Sequence, residues 1–262
     1  MSVSTELSNT TFQKDRFILA SLVGKDFKRK YRRSVLGVVW SVLNPFLMML
    51  VLTAVFSVAF KFDVENFALY LILGQVVFNF MANSTNGALV SIIDSSGLIK
   101  KVRVNKMVFP LEKVVFELVN LGLSLIPVLA VMAWFRIMPT LNILFLPLLL
   151  IYLILFCSGL ALAVSALAVF FRDVVHLWTV LITAWTYATP LFYPIEALPA
   201  WFQPLMQFNP MYHFVTYFRM IVMWGETPGL RMNLVCLVMA LVTFIAGALV
   251  FSKTQKKFIL YV

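Results

Sequence analysis

Charged side chains are scarce in this sequence. Asp, Glu, Lys and Arg make up 12% of the 262 residues, whereas hydrophobic residues make up 62%. About a quarter of a soluble globular domain is charged, so this composition excludes an ordinary soluble domain and indicates a protein surrounded mainly by lipid. A transmembrane helix needs about 20 mostly apolar residues. The chain therefore has room for six spans, a basic N-terminal segment and short loops.

The sequence also lacks the features with which a transporter generates its own driving force. It contains no G-x-x-x-x-G-K-[ST] pattern, the glycine-rich loop that holds nucleotide phosphates. No Asp, Glu, Lys or Arg falls in the middle of a predicted span, although ion-coupled transporters usually carry such groups there. We therefore expect no cofactor on this chain. If ATP drives the protein, ATP and Mg²⁺ bind to a separate subunit.

Residues suited to catalysis or metal binding are equally few. Cys157 and Cys236 lie in apolar runs and have neither metal-ligand spacing nor a disulfide pattern. Carboxylate pairs such as Glu112 with Glu117 lie near predicted loop ends and have no histidine beside them. We predict no metal site and no catalytic residue. The net charge of +10 comes without a motif that reads nucleic acid, so we expect no nucleic-acid partner.

Six apolar runs predict six transmembrane helices, each long enough to cross the hydrocarbon core. The predicted spans run from Val35 to Phe60, Phe67 to Ile93, Val114 to Phe135, Leu141 to Phe171, Val174 to Tyr193 and Leu230 to Ser252. The expected fold is an all-α membrane protein with two parts. Residues 1–34 form a cytoplasmic amphipathic helix at the membrane interface, and residues 35–262 form a six-span transmembrane domain.

The basic residues are distributed unequally between the two sides that these spans define. Of the 21 Lys and Arg, 17 lie before the first span, between the second and third, between the fourth and fifth, or after the sixth. By the positive-inside rule, this side faces the cytoplasm. We expect a multi-pass protein of the inner (plasma) membrane with both termini in the cytoplasm.

The segment from Thr11 to Arg33 has the pattern of a basic amphipathic helix. Apolar side chains, among them Leu22, Phe27 and Tyr31, fall on one side and basic side chains on another. Such a helix lies in the headgroup plane of a membrane. Two interpretations remain open: a collar that meets an anionic lipid headgroup, such as a substrate pyrophosphate, or a simple membrane anchor. The candidate headgroup-binding residues are Lys28, Arg29, Arg32 and Arg33.

The second predicted span carries amide side chains at helical spacing. Gln75, Asn79, Asn83 and Asn86 are separated by four, four and three residues, which places them on one helical face. Amides donate and accept hydrogen bonds, and a stripe of them suits the hydroxyls of a passing glycan. The alternative is hydrogen bonding between packed helices, which is common inside membranes.

The fifth predicted span combines threonine with aromatic residues. Thr183 and Thr186 share one face, and Trp185 and Tyr187 lie beside them. Aromatic rings have flat apolar faces suited to sugar rings, whereas the alternative is an aromatic belt at the membrane interface. Because Trp185 lies near the middle of the span, a belt does not explain it, and it is our first candidate for a transport path. Trp40 in the first span is a further candidate.

The segment between the fifth and sixth spans, residues 195–229, is too apolar for a solvated loop. Its longest apolar stretch, from Met211 to Trp224, has 14 residues. That length is typical of a re-entrant or interfacial helix and not of a span. Prolines divide the segment into short pieces. We predict two short re-entrant helices on the outer side, with a loop lying on the membrane surface as the alternative.

Three motifs occur in an order that resembles the polysaccharide-exporting type 2 ABC permeases, which include O-antigen and teichoic-acid exporters. The motifs are YRRSVLGVVWSVLNPF at residues 31–46, FFRDV at residues 170–174 and TPLFYPIEALPAWFQPLMQFNPMYHF at residues 189–214. The resemblance extends over nearly the whole chain. It implies a permease subunit that moves lipid-linked polysaccharide across the inner membrane.

The resemblance also implies partners. An ABC ATPase subunit would hydrolyse the ATP, so the chain itself is not expected to be an enzyme. The loop of residues 94–110 would dock on that ATPase as a coupling helix, and residues 195–229 would form gate helices. The alternative for this loop is that its basic residues only fix the orientation of the chain in the membrane and do not contact the ATPase. The candidate coupling residues are Lys100, Lys101, Arg103, Lys106, Arg172 and Asp173.

Assembly and cargo remain to be weighed. Six spans do not easily enclose a wide glycan path, so we expect a two-fold homodimer of the permease. The cargo expected from the resemblance is a lipid-linked glycan. The alternatives are a related permease that exports a drug or a small lipid, and a membrane enzyme that acts on lipid-linked sugars.

Overall fold

The computed structural model of this chain describes residues 2–32, 36–59, 64–102 and 104–261, with side chains from residue 13 onwards and without those of residues 57–59. This part of the chain contains helices and no strands. The α-helices are α1 Ser2–Tyr31, α2 Val39–Ala59, α3 Phe67–Leu89, α4 Ser91–Asp94, α5 Ser96–Lys101, α6 Val108–Trp134, α7 Leu146–Phe170, α8 Val174–Ala188, α9 Pro210–Arg219, α10 Leu230–Thr254 and α11 Phe258–Tyr261. The predicted all-α class is confirmed.

Shorter helical turns connect the longer helices. A 3₁₀ helix, Leu141–Phe145, leads directly into α7, and another, Gln255–Lys257, joins α10 to α11. The outer segment contains two 3₁₀ turns, Ile195–Ala197 and Gln203–Phe208, before α9. α9 continues as a π-helix, Met220–Trp224. Only the second of the two predicted outer helices is therefore an α-helix, and with its π turn it covers the apolar stretch from Met211 to Trp224.

Among the described residues, five helices are long and apolar enough to cross a membrane: α2, α3, α6, α7 with its preceding 3₁₀ turn, and α10 with its continuation. They coincide with five of the six predicted spans. The remaining one, predicted from Val174 to Tyr193, corresponds to α8, an apolar helix of 15 residues. α8 ends at Ala188, and Pro190 follows closely, where it cannot supply a backbone N–H to continue the helix.

The third predicted span begins earlier than expected. α6 starts at Val108 instead of Val114 and includes Pro110 in its first turn, where a missing backbone N–H is tolerated. Glu112 and Glu117, which we placed near a loop end, therefore lie within a membrane-length helix. Glu112 is 2% exposed and pairs with Lys113 at 3.0 Å.

The helices are arranged around α3. Of the spanning part of α3, 83% is buried, against 6% for α2, so α3 is the centre of the bundle and α2 lies at its edge. α7 and α10 cross closely at Gly159 and Gly247, where a Cβ on either glycine would overlap the backbone of the other helix. Small residues of this kind allow close helix packing in membranes.

The N-terminal helix packs against protein along its inner face. Phe27 meets Phe116 of α6 edge to face, with ring centroids 6.5 Å apart. Asp26 forms an ion pair with Lys113. The predicted helix is present and begins at Ser2, but the part of its apolar face that includes Phe27 and Tyr31 contacts α6.

Candidate functional site

A polar cavity of about 340 Å³ lies between α1, α2, α3 and α6. We call it the inner cavity, because it lies towards the end of the bundle that the charge distribution predicts to be cytoplasmic. Its volume is within the range of about 300–1,000 Å³ that is typical of small-molecule sites. Its polar and aromatic lining consists of Lys30, Trp40, Ser41, Asn44, Asn79, Phe80, Asn83, Glu117, Asn120 and Ser124.

α3 contributes two members of the predicted amide stripe. Asn79 and Asn83 are exposed and lie one turn apart on the wall of the cavity. Gln75, one turn further along, is buried away from the cavity, and its Oε1 has no hydrogen-bond partner among the described residues. Asn86 is exposed beyond the other end of the cavity wall. The structure therefore divides the stripe and places only its middle pair in the cavity.

α6 supplies polar residues that our sequence analysis did not select. Glu117, Asn120 and Ser124 follow one another at steps of three and four residues, so they share a helical face that borders the cavity. Asn120 is 6% exposed, and its Oδ1 accepts a hydrogen bond from the Tyr31 hydroxyl at 2.9 Å. The helical spacing of these three polar residues inside an apolar run was the signal in the sequence that could have revealed this face.

α2 borders the cavity with its first two turns. Trp40, Ser41 and Asn44 lie on the lining, and Trp40 is 46% exposed. Ser41 hydrogen-bonds to the Tyr31 hydroxyl through its own hydroxyl. Pro45 has no N–H to offer to the carbonyl of Ser41 four residues earlier, so the helix is weakened beside the cavity.

A basic surface lies along the exposed side of α1. Lys28, Arg29 and Arg32 line it together with Lys25, and all four are exposed. These are three of the four predicted headgroup-binding residues, and Arg33 lies outside the described residues. Lys30 points to the other side, where its ammonium lies 5.3 Å from the ring centroid of Phe116 beside the inner cavity.

Trp185 and its neighbours on α8 lie away from the inner cavity. The indole Nε1 of Trp185 donates to Asn209 Oδ1 at 2.8 Å, and its ring meets Phe156 edge to face. Tyr187 is 66% exposed. Trp185 thus connects α8 to the residue that caps α9, because Asn209 Oδ1 also accepts from the backbone N–H of Met211.

The threonines of α8 use their hydroxyls within the helix. Thr183 donates to the carbonyl of Thr179 at 2.9 Å, and Thr186 donates to the carbonyl of Ile182 at 2.8 Å. Thr183 is exposed and Thr186 is half-buried. Neither residue borders the inner cavity.

The predicted coupling residues lie at one end of the bundle. Lys100 and Lys101 are exposed in the last turn of α5, and Arg172 and Asp173 are exposed between α7 and α8. The Lys106 ammonium donates to the carbonyl of Gln255 at 2.7 Å, and its removal from water lowers the pKa of this group. Lys106 is therefore engaged by the C-terminal segment. Arg103 lies outside the described residues.

A buried arginine forms a second polar site on the outer side. Arg219 is 3% exposed, and its guanidinium carbon lies 3.3 Å from the ring centroid of Tyr70. Its nitrogens donate to three backbone carbonyls at 3.0–3.3 Å, those of Tyr70, Pro190 and Leu191. We call Arg219, Tyr70, Pro190 and Leu191 the outer arginine cluster. Our sequence analysis did not select Arg219, although an arginine inside an apolar run is costly unless it is paired.

No carboxylate forms an ion pair with Arg219 in the part of the chain that the structure describes. The cluster instead ties α9 to α3 and to the turn after α8 through backbone carbonyls and the ring of Tyr70. Within the same described ranges, no group of three His, Cys, Asp or Glu side chains is placed to hold a metal ion.

Comparison with known proteins identifies a matching family and several similar proteins. Residues 19–223 match the family model described as ABC-2 type transporter. An O-antigen export system permease protein RfbA of Myxococcus xanthus is 29% identical over 245 residues, which cover 93% of this chain and 94% of that protein. A protein of the same description from Klebsiella pneumoniae is 26% identical over 242 residues, which cover 92% of this chain and 93% of that protein.

Proposed function

The chain belongs to the ABC-2 type transporter family, and from this premise we propose that it is the permease subunit of an ATP-driven exporter of cell-envelope polysaccharide. The observation that carries the proposal is coverage: relatives named O-antigen export permeases align with 92–93% of this chain. The chain is a transporter subunit and not an enzyme. The named relatives favour a polysaccharide over a drug or a small lipid as the cargo.

The driving force would come from an ABC ATPase, as membership of the family implies. ATP and Mg²⁺ would then bind to that separate subunit. The exposed side chains of Lys100, Lys101, Arg172 and Asp173 are available for docking, because they project from short turns at one end of the bundle. Lys106 would act indirectly in this arrangement, since its ammonium is held by the C-terminal segment.

The proposed topology has six spans with both termini in the cytoplasm of the inner membrane. α8 would be the fifth span. Its 15 residues rise about 22 Å, which is shorter than the roughly 30 Å hydrocarbon core. The turn from Thr189 to Pro194 would complete the crossing. The outer helix that α9 forms with its π extension would then be re-entrant and act as a gate, as its apolar length supports.

A homodimer would cover amide side chains that the single chain leaves exposed at the inner cavity. Asn44, Asn79 and Asn83 are exposed beside α2, the most peripheral of the long helices. Amides that face hydrocarbon without a partner are costly. A second copy related by two-fold symmetry would cover α2 and enclose a hydrated path between the protomers. The lipid part of a lipid-linked glycan would remain in the bilayer while the glycan moves along that path.

The proposal is tested with the permease and its ATPase purified together and reconstituted in vesicles. We expect a stable complex whose ATP hydrolysis rises with the host's lipid-linked glycan and whose vesicles transfer the glycan across the membrane. A complex with a lysine substitution in the ATPase's phosphate-binding loop serves as the control without hydrolysis. ATP hydrolysis that ignores the permease, or export by the permease alone on a proton or sodium gradient, would contradict the proposal.

A further inference from the structure

Asn120 is a buried amide that uses only part of its hydrogen-bonding capacity. Its oxygen accepts from Tyr31, whereas its Nδ2 has the carboxylate of Glu117 close by but makes no hydrogen bond of good geometry to it or to any other described residue. Leaving a buried donor unpaired costs about 1–3 kcal/mol. Because native structures contain few such groups, an unpaired donor on a cavity wall indicates that another molecule supplies the acceptor.

The remaining polar groups of the inner cavity show what this molecule has to offer. Glu117 accepts hydrogen bonds, Lys30 donates them, and the amides of Asn79 and Asn83 do both. One negative and one positive side chain leave the lining close to neutral. A sugar ring matches this mixture, because each hydroxyl group both donates and accepts.

Two other chemistries fit the cavity less well. A phosphate group would meet the carboxylate of Glu117, and like charges at close range repel each other. An acyl chain would leave Asn120 and the neighbouring amides unpaired in an apolar environment. The basic surface of Lys28, Arg29 and Arg32, outside the cavity, suits phosphate better.

Trp40 supplies the apolar part of the site. Its ring is half-exposed and borders the cavity. Aromatic rings present flat apolar faces, which suit the C–H face of a sugar ring. The volume of about 340 Å³ has room for a small part of a glycan.

We propose that the inner cavity is a sugar-binding site that holds one short unit of the glycan on the cytoplasmic side of the permease. Asn120, Glu117 and Asn83 bind its hydroxyl groups, and Trp40 contacts its ring. The inference rests on the proposed function, and it adds the position of the site and the chemical class of its ligand.

The cysteine content of the chain allows a direct test. Cys157 and Cys236, the two cysteines of the sequence, are fully buried. A cysteine introduced by Asn83→Cys would therefore be the accessible thiol of the permease. Its rate of reaction with a hydrophilic maleimide is measured in the complete permease–ATPase complex, with and without lipid-linked glycan extracted from the host's membranes. Asn86→Cys is the matched control, because Asn86 is exposed one turn away and outside the cavity.

We expect the glycan to slow the labelling of Asn83→Cys several-fold and to leave the labelling of Asn86→Cys unchanged. Adding Glu117→Gln to Asn83→Cys is expected to raise the glycan concentration needed for protection. If Asn83→Cys does not give a monodisperse complex, Asn79→Cys replaces it with the same expectation. The inference is overturned if the glycan stimulates ATP hydrolysis by the wild-type complex but protects neither cavity cysteine.

A second arm separates the sugar from its lipid carrier. Mild acid removes the glycan from the extracted material and leaves the carrier lipid and its phosphate. We expect this treated fraction to give no protection. Protection by the carrier alone would assign the cavity to the lipid headgroup and overturn the inference. Absence of glycan stimulation in the wild-type complex would instead contradict the proposed function, so the two failures are distinguishable.

Discussion

The outer arginine cluster and the inner cavity place polar side chains in a mostly apolar protein, but they differ in how completely these side chains are paired. In the cluster, all three guanidinium nitrogens of Arg219 donate to backbone carbonyls. In the cavity, the amide nitrogen of Asn120 makes no hydrogen bond of good geometry within the described residues, although the carboxylate of Glu117 lies close by. A satisfied buried polar group supports the fold, whereas an unsatisfied one beside an open cavity indicates a ligand. Substitutions in the cluster should therefore affect stability, and substitutions in the cavity should affect transport.

The largest effect is expected from Arg219→Met. The substitution removes the guanidinium donors to the carbonyls of Tyr70, Pro190 and Leu191 in a buried place. We expect the free energy of unfolding to fall by about 3 kcal/mol or more. Denaturant unfolding in detergent measures it. Arg231→Ala, at an exposed outer arginine, is the control and should change it by less than about 0.5 kcal/mol. If Arg219→Met and Arg231→Ala lower the free energy of unfolding equally, the outer arginine cluster does not stabilise the fold as we infer.

The next largest effect is expected from Gly74→Ala. A Cβ at Gly74 would lie 2.8 Å from Arg219 Nη2, so the guanidinium would have to move away from its carbonyls. We expect a loss of about 1–3 kcal/mol, the usual cost of overpacking. Thermal unfolding of Gly74→Ala and of the wild-type protein in the same detergent measures this loss of stability.

Gly87→Ala is the matched control on the same helix. Its Cβ would meet the side chain of Lys113 at 3.4 Å, an ordinary contact. Replacement of a helical glycine by alanine then stabilises by about 0.5–1 kcal/mol. If both variants shift stability in the same direction, the close approach at Gly74 is not what limits it.

A smaller effect is expected from Trp185→Phe, which keeps an aromatic ring and removes the donor to Asn209. The loss should be about 1 kcal/mol, the value of one hydrogen bond. Trp185→Ala tests the predicted role in the transport path. If the ring lines that path, Trp185→Ala slows glycan export in reconstituted vesicles while Trp185→Phe preserves it. Equal export by both variants at equal protein levels would assign Trp185 to packing alone.

The smallest effect on stability is expected from Asn83→Ala in the inner cavity. Asn83 and Asn86 are both exposed on α3, so alanine at either position should change the free energy of unfolding by less than about 0.5 kcal/mol. Only Asn83→Ala should raise the glycan concentration that half-maximally stimulates ATP hydrolysis. If Asn83→Ala lowers the free energy of unfolding while the glycan stimulates ATP hydrolysis normally, Asn83 supports the fold and does not bind the glycan.

Much of the fold could be predicted because it depends on local pattern. Apolar runs of about 20 residues locate membrane helices wherever they occur in a chain, and the described part of this chain contains five such helices. The start of α6 was missed because Glu112 and Lys113 read as polar. Their ion pair, and the further pair of Lys113 with Asp26 of α1, makes burial of these charges tolerable.

The candidate site could be predicted only in part. Helical spacing selected Asn79 and Asn83, and the opening motif contained Trp40, all of which border the inner cavity. Spacing finds residues that share a face, but it does not show which helix packs against that face. Asn120 and Glu117 were therefore missed, because they come from a different helix.

By itself, the sequence determined that the chain is a helical membrane protein, where its long helices lie and which family it belongs to. These properties depend on hydrophobic length and on residue order. Only the tertiary structure decided which polar side chains meet. It pairs Arg219 with carbonyls far away in the sequence, and it leaves the Nδ2 of Asn120 without a hydrogen bond of good geometry among the described residues. Hydrogen bonds act over about 3 Å, so the pairing of a buried group depends on how the helices pack and not on the periodicity of any one of them.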